Sequence, residues 1–124
     1  MTVYGYLKTS TDKENIINKA NQESLPDNIV YFEETHHNLQ YWPDRTLGLT
    51  LATLKKNDIL ILSDYESVNE KKAFEFIAFL AQCERQGIKV YFSSCDLPTT
   101  SENIYDLGKI IMKWCVILNS PLVL

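Results

Sequence analysis

No stretch of the sequence is apolar for long enough to cross a membrane, and its start lacks the basic and apolar segments of a secretory signal. Only three cysteines are present, Cys83, Cys95 and Cys115, and no two of them lie close together in the chain. Such a set indicates reduced thiols rather than a disulfide framework or a zinc site. We therefore expect a cytoplasmic protein with no membrane contact.

Glycine is also scarce, and the four glycines form neither a GxxxxGK[ST] loop, nor a GxGxxG turn, nor a GxSxG elbow. This excludes the usual nucleotide-binding motifs and the α/β-hydrolase nucleophile. His36 and His37 are adjacent, so they do not share a helix face, and no third ligand is evident nearby. A polar loop explains them better than a metal site, and no cofactor is predicted.

An excess of positive charge is missing as well. The net charge is −4, and the longest basic clusters are two lysine pairs, Lys55–Lys56 and Lys71–Lys72. A domain that holds DNA by itself is usually basic or carries a basic stripe. Strong autonomous DNA binding is therefore not expected, and DNA would be bound weakly or through a partner.

The chain has 124 residues, a length that suits one domain. Its pattern of apolar residues predicts strands that alternate with helices. Thr11 to Glu14 reads as a capping box that starts the first helix, and an apolar helix ends at Gly87. The alternation predicts an α/β fold with a mainly parallel sheet of four to five strands and helices on both faces. The predicted strands are Val3–Leu7, Ile29–Phe32, Ile59–Leu62 and Lys89–Phe92.

In sheets of this kind, function sits in the loops beyond the carboxyl ends of the strands. These loops are Lys8–Thr11, Glu33–Arg45, Ser63–Glu70 and Ser93–Thr100. Leucines at 47, 49, 51 and 54 suggest a short helix after the second loop. A last helix is predicted from about Ser101, with Ile104, Ile111 and Trp114 on its apolar side.

Four segments carry a common pattern: Tyr4–Thr11, Asp44-Arg45 with the leucines that follow, Asn57–Leu62 and Gln86–Phe92. Together they resemble the catalytic domain of the serine recombinases, the resolvase/invertase family. The opening Tyr4–Thr11, YGYLKTST, is similar to the YxRVST motif of that family. Asp44-Arg45 with its leucines is similar to DRxGL, Asn57–Leu62 to GDxLxV, and Gln86–Phe92 to the strand after the long helix. The resemblance implies a resolvase-like fold across residues 1–124, with no C-terminal DNA-binding domain.

The resemblance also implies a site. Ser10 would be the nucleophile that attacks a DNA phosphodiester, Lys8 and Arg45 the phosphate ligands, and Glu66 the carboxylate of the site. Lys8 keeps the charge of the family's arginine but not its bidentate geometry. In the LDRxxR motif, Ser67 and Glu70 stand where two arginines are expected. A unit charge roughly 6 Å from a phosphate is worth about 2.8 kcal/mol at an effective dielectric of about 20, so reversing the charge costs roughly 5.5 kcal/mol.

Two functions remain open at this point. The first is a recombinase-like domain for site-specific DNA recombination, weakly active or inactive. The second is a catalytically silent module that acts by dimerisation or regulation, through the helix around Ile104, Ile111 and Trp114, as a homo-oligomer or on a full recombinase. Plainer interpretations stay beside these: Ser10 as a helix N-cap, Arg45 as a loop cation paired with Asp44, and Glu66 as a solvated acid.

Overall fold

A computed structural model describes residues 1–38, 41–63, 67–68 and 73–93. Strands and helices alternate along this part of the chain. In chain order the elements are β1 (Val3–Leu7), α1 (Asp12–Gln22), β2 (Val30–Glu33), a 3-10 turn (Trp42–Asp44), α2 (Thr46–Leu51), β3 (Ile59–Leu62), α3 (Ala73–Gln86) and β4 (Lys89–Phe92). The α/β fold predicted from the sequence is confirmed.

The four described strands form one sheet in the order β2-β1-β3-β4, and every pair is parallel. The chain moves from β1 to one side of the sheet and then returns to β3 on the other side of β1. The strand order therefore reverses between β1 and β3, and crevices beyond the carboxyl ends of strands near such a reversal commonly bind ligands. The all-parallel sheet also explains why β3, ILIL, is apolar throughout: both of its faces are covered.

Helices cover both faces of the sheet and form two cores. On one face, Ile16 and Ala20 of α1 pack against Val3, Leu7, Ile59 and Ile61. On the other face, α2 and α3 pack against alternate residues of the strands, and this core is larger. Its members are Tyr6, Trp42, Leu47, Leu51, Leu54, Leu60, Leu62, Val68, Phe79, Leu80, Cys83, Ile88, Val90 and Phe92. Each fully buried apolar side chain contributes roughly 1.5–3 kcal/mol to folding.

The amino edge of the sheet is closed by two turns, one at Gly87, where the sequence predicts the end of a helix, and one at Asn57 and Asp58. Gly87 ends α3 with a φ of 73°, a left-handed conformation that favours glycine. Its carbonyl accepts the Asn57 N–H at 3.0 Å. Beside it, the buried Asp58 carboxylate accepts the N–H groups of Thr2 at 3.0 Å and Lys55 at 2.8 Å, which fixes the entry to β1. The acid of this turn is therefore structural.

Two local predictions need correction. The second strand runs over Val30–Glu33 rather than Ile29–Phe32, because Leu7 pairs with Glu33 at the end of β1. Helix α1 begins where it was predicted, but the capping box does not form: Thr11 has helical dihedrals and its side chain makes no cap hydrogen bond. The Asp12 carboxylate binds the preceding turn instead.

No helix among the described residues is long and apolar enough to span a membrane. The predicted last helix with Ile104, Ile111 and Trp114 lies outside the described residues. Glu66 and Glu70 lie outside them as well.

Candidate functional site

A cleft of about 270 Å³ opens at the carboxyl ends of β1 and β2. The two strands are held together up to its edge, because Leu7 pairs with Glu33 and the Glu34 N–H donates to the Leu7 carbonyl at 2.9 Å. Beyond this point the two chain segments separate, and the cleft lies between them. It is lined by Leu7, Lys8, Thr9, Ser10, Glu33, Glu34 and His37.

Ser10 and Lys8, both predicted from the sequence, lie together in this cleft. Ser10 is exposed, and its hydroxyl makes no hydrogen bond to any part of the chain that the structure describes. The interpretation of Ser10 as an N-cap is not supported, because Thr11 occupies the cap position. The Ser10 hydroxyl is therefore open to the cleft.

The turn that carries Ser10 is fixed by Asp12. This carboxylate is buried, and its Oδ2 accepts the N–H groups of Lys8 and Thr9, both at 2.9 Å. The Asp12 N–H in turn donates to the Thr9 carbonyl at 3.2 Å. Three successive contacts across so short a turn give Ser10 a defined backbone position.

Arg45, the predicted second phosphate ligand, does not line the cleft. It is only 5% exposed, and its Nη2 donates to the carbonyls of Ser67 at 2.7 Å and Val68 at 2.8 Å. Its Nε lies 3.7 Å from Glu34 Oε1, so its ion-pair partner is Glu34 rather than Asp44. The guanidinium is therefore used inside the protein, where it ties the segment after β2 to the segment after β3.

Glu34 is the centre of this buried network, and no motif in the sequence marks it. It is 4% exposed and accepts four hydrogen bonds. The donors are Tyr6 Oη–H at 2.7 Å and the N–H groups of Thr46 at 2.8 Å, His36 at 3.0 Å and Leu47 at 3.3 Å. The one feature of the sequence that points to Glu34 is its position in a loop at the carboxyl end of a strand. Its neighbours in that loop share this position, so the feature does not single out Glu34.

These contacts decide the charge of Glu34. Burial alone raises the pKa of its carboxyl, but the hydrogen bonds from Tyr6, His36 and Thr46 outweigh burial and lower the pKa to about 2. Burial raises the pKa of the Tyr6 hydroxyl far above its ordinary value, and the hydrogen bond to Glu34 adds to this. The network is thus an ionised carboxylate with a neutral phenol and an arginine beside it.

The two adjacent histidines have different surroundings. His36 Nδ1 lies 3.1 Å from Thr35 Oγ1 and 3.2 Å from Thr46 Oγ1, at the start of α2. His37 is exposed, lines the cleft, and makes no hydrogen bond within the described part of the chain. No group of metal-binding side chains is found in the described ranges, 1–38, 41–63, 67–68 and 73–93.

A second polar group lies at the carboxyl end of β3, next to the reversal in strand order. Asn15 Nδ2 of α1 donates to Ser63 Oγ at 3.2 Å, and Ser93 Oγ donates to the Ser63 carbonyl at 2.7 Å. Through these two hydrogen bonds Ser63, which is buried, joins α1 to the ends of β3 and β4. They are structural contacts between uncharged groups.

The fold and the cleft define the class of this protein: an α/β protein with a parallel sheet and a polar cleft, carrying a serine, a lysine and a histidine, at the carboxyl ends of its first two strands. Compared with known proteins, the chain matches no family model and has no significant match among curated proteins. Among the described residues that line it, the cleft offers the hydroxyl of Ser10 and the cationic side chain of Lys8, but no guanidinium.

Proposed function

We propose that this chain is a serine recombinase-like domain associated with site-specific DNA recombination, in which strand cleavage is weak or absent. The proposal rests on the resemblance carried by Tyr4–Thr11, Asp44-Arg45 and the later segments. The observation that supports it best is the exposure of Ser10 beside Lys8 in a cleft at the carboxyl end of β1. In the family that this chain resembles, the serine attacks a DNA phosphodiester and holds the strand as a phosphoseryl link.

The expectation of weak activity follows from the groups around Ser10. Phosphoryl transfer needs fixed positive charge around the equatorial oxygens, and arginine suits this task because it binds two oxygens at once. Arg45 is buried instead: its Nη2 donates to the Ser67 and Val68 carbonyls, and its Nε lies 3.7 Å from Glu34 Oε1. Among the described residues that line the cleft, Lys8 is the one lysine or arginine, and the exposed Glu33 lines the same cleft.

The first test is binding. Inorganic phosphate and a short oligonucleotide are titrated at low salt while amide shifts are followed by NMR. We expect saturable shifts at Lys8, Thr9 and Ser10, with little change at Arg45, and weaker binding in Lys8→Ala than in Lys55→Ala. Lys55 lies in the turn at the opposite edge of the sheet. No saturable response near Ser10 would count against a phosphate site.

The second test is cleavage. Supercoiled DNA is incubated with the protein, and covalent protein–DNA adducts are sought after denaturation. We expect adducts to be absent or to form far more slowly than in an active recombinase, and any that do form should disappear in Ser10→Ala. Adducts forming at an ordinary rate would contradict the degraded pocket, and adducts that persist in Ser10→Ala would contradict the role of Ser10.

The burial of Arg45 also favours a second function, a catalytically silent module that acts by protein–protein association. Ser10→Ala separates the two functions once a recombination phenotype is measured. The substitution abolishes a catalytic role and leaves an associative role intact. The oligomeric state of the wild-type chain, measured by sedimentation over a range of concentrations, tests the predicted homo-oligomer directly.

A further inference from the structure

A serine hydroxyl is a weak nucleophile unless a nearby group takes its proton. Ser10 is exposed to the cleft, and its hydroxyl makes no hydrogen bond to the described residues, so these residues leave the oxygen accessible. A base for Ser10 must come from a neighbouring side chain in the cleft. Among the residues that the structure describes, the ionisable groups that line the cleft with Ser10 are Lys8, Glu33, Glu34 and His37.

Two of these groups are unsuitable. Lys8 carries an ammonium group, which donates hydrogen bonds but has no lone pair to accept a proton. The Glu34 oxygens already accept four hydrogen bonds, and these contacts hold the pKa of its carboxyl at about 2, which makes it a poor base. Glu33 and His37 remain. An imidazole matches the task better than an exposed carboxylate, because a general base is most effective when it titrates near the working pH.

The backbone also brings His37 to the correct side of the cleft. Leu7 and Glu33 are paired in parallel at the ends of β1 and β2, so the segments after them leave the sheet side by side. Ser10 follows on one segment and His37 on the other, and both line the same cleft. His36 is engaged by Thr35 and Thr46 and does not line it.

We propose that His37 is the general base for Ser10 in attack on a phosphoryl group. This inference rests on the proposed function and adds a residue to it. As the Ser10 Oγ–phosphorus bond forms, the Oγ proton passes to the His37 imidazole and the bond from phosphorus to the leaving oxygen breaks. The imidazolium then returns the proton to that oxygen, so charge and atoms balance without any redox partner.

The test uses a fluorophosphonate ester as the probe. Ser10 Oγ displaces fluoride from phosphorus, and the hydroxyl proton leaves through His37. Because fluoride is a good leaving group, this reaction does not need the arginines that a DNA phosphodiester requires. Adduct formation is followed by intact-protein mass spectrometry, and the modified residue is located by peptide mapping. The variants are His37→Gln, the matched neighbour His36→Gln, and Ser10→Ala.

We expect labelling at Ser10 to slow about 100-fold in His37→Gln and to be unchanged in His36→Gln. Ser10→Ala removes the adduct. In the wild type the rate should fall as pH is lowered through the range in which an imidazole is protonated, and this dependence should vanish in His37→Gln. Lys8, Glu33 and Glu34 are the other ionisable groups of the cleft, and Glu33→Gln should keep the wild-type profile.

Equal labelling of Ser10 in the wild type and in His37→Gln overturns this inference and leaves the proposed function standing. An absence of any Ser10 adduct in the folded wild-type protein also overturns the inference. The proposed function is judged separately, by phosphate binding at Lys8–Ser10, which requires no base. Loss of that binding with retained His37-dependent labelling would contradict the proposed function alone.

Discussion

The cleft beside Ser10 and the buried network centred on Glu34 both include residues of one short segment, 33–37, but these residues have opposite surroundings. Glu33 and His37 are exposed in the cleft, whereas Glu34, between them in sequence, is almost completely buried. Ser10 has no hydrogen-bond partner among the described residues, whereas Glu34 has four. Groups without partners are available for chemistry, and groups with full sets of partners hold the fold together.

The two cations implied by the resemblance also lie in different surroundings. Lys8 lines the cleft, and Arg45 is enclosed by Glu34 and two backbone carbonyls. A residue type and its position in a motif therefore do not decide its role. The surroundings of the side chain decide its role. Substitutions in the cleft and in the network should therefore change the stability of the protein by different amounts.

The largest expected effect is from Glu34→Ala. This change leaves the Arg45 charge buried without its carboxylate and removes the acceptor of four donors. We expect the free energy of unfolding to fall by about 3–5 kcal/mol, measured by urea denaturation. Glu33→Ala is the matched control, since Glu33 is exposed, and it should change stability by less than about 0.5 kcal/mol. Similar losses of unfolding free energy in the two variants would contradict the view that Glu34 holds the fold together and Glu33 does not.

Acid should have the next largest effect. The pKa of Glu34 is lowered to about 2 in the folded protein from an ordinary value of 4.5, so the folded state binds fewer protons than the unfolded state between these values. The contribution of Glu34 is therefore complete above pH 4.5 and is lost as the pH falls toward 2, by about 2–3 kcal/mol. Urea denaturation at a series of pH values measures this loss. Glu34→Gln should remove that part of the dependence.

A smaller effect is expected from Tyr6→Phe. The substitution keeps the buried ring but removes the hydroxyl that donates to Glu34 at 2.7 Å. Loss of one hydrogen bond to a charged acceptor should cost about 1.5–3 kcal/mol and should raise the pKa of Glu34. Tyr4→Phe is the control, because Tyr4 packs on the same core and its hydroxyl has no partner in the described chain. Equal effects would show that Tyr6 contributes only its ring.

Ser10→Ala should have the smallest effect on stability, within about 0.5 kcal/mol. Its hydroxyl is exposed and bonds to no described residue, so the substitution removes no contact within the described part of the chain. Thermal unfolding of the variant beside the wild type measures this. A clear loss of stability would reveal a structural role for Ser10 and weaken its assignment as a nucleophile.

Much of the fold could be predicted because it depends on local patterns. The strands Val3–Leu7, Ile59–Leu62 and Lys89–Phe92 are found as predicted, and Gly87 ends α3. The continuous apolar run of β3 indicated a strand covered on both faces, and the structure has it in the interior of the sheet. The placement of the site at carboxyl strand ends likewise follows from the βαβ order alone.

The network could not be predicted, because its contacts join residues far apart in the chain. Tyr6 and Glu34 are 28 positions apart, and Arg45 and Ser67 are 22 apart. Sequence periodicity does not indicate such pairs, and the motif around Arg45 predicts a phosphate ligand, whereas the structure has Arg45 as a buried cation. The roles of Glu66 and of the helix around Ile104, Ile111 and Trp114 stay predictions, since these residues lie outside the described ranges.

The Asp12 contact has a consequence for selectivity. Many anion sites recognise the shape of phosphate or sulfate through backbone amides that converge on its oxygens. Here the amides of Lys8 and Thr9 are already committed to the chain's own carboxylate. An anion entering the cleft would therefore be discriminated by its charge more than by its geometry. Binding should then weaken steeply with ionic strength and differ little between phosphate and sulfate.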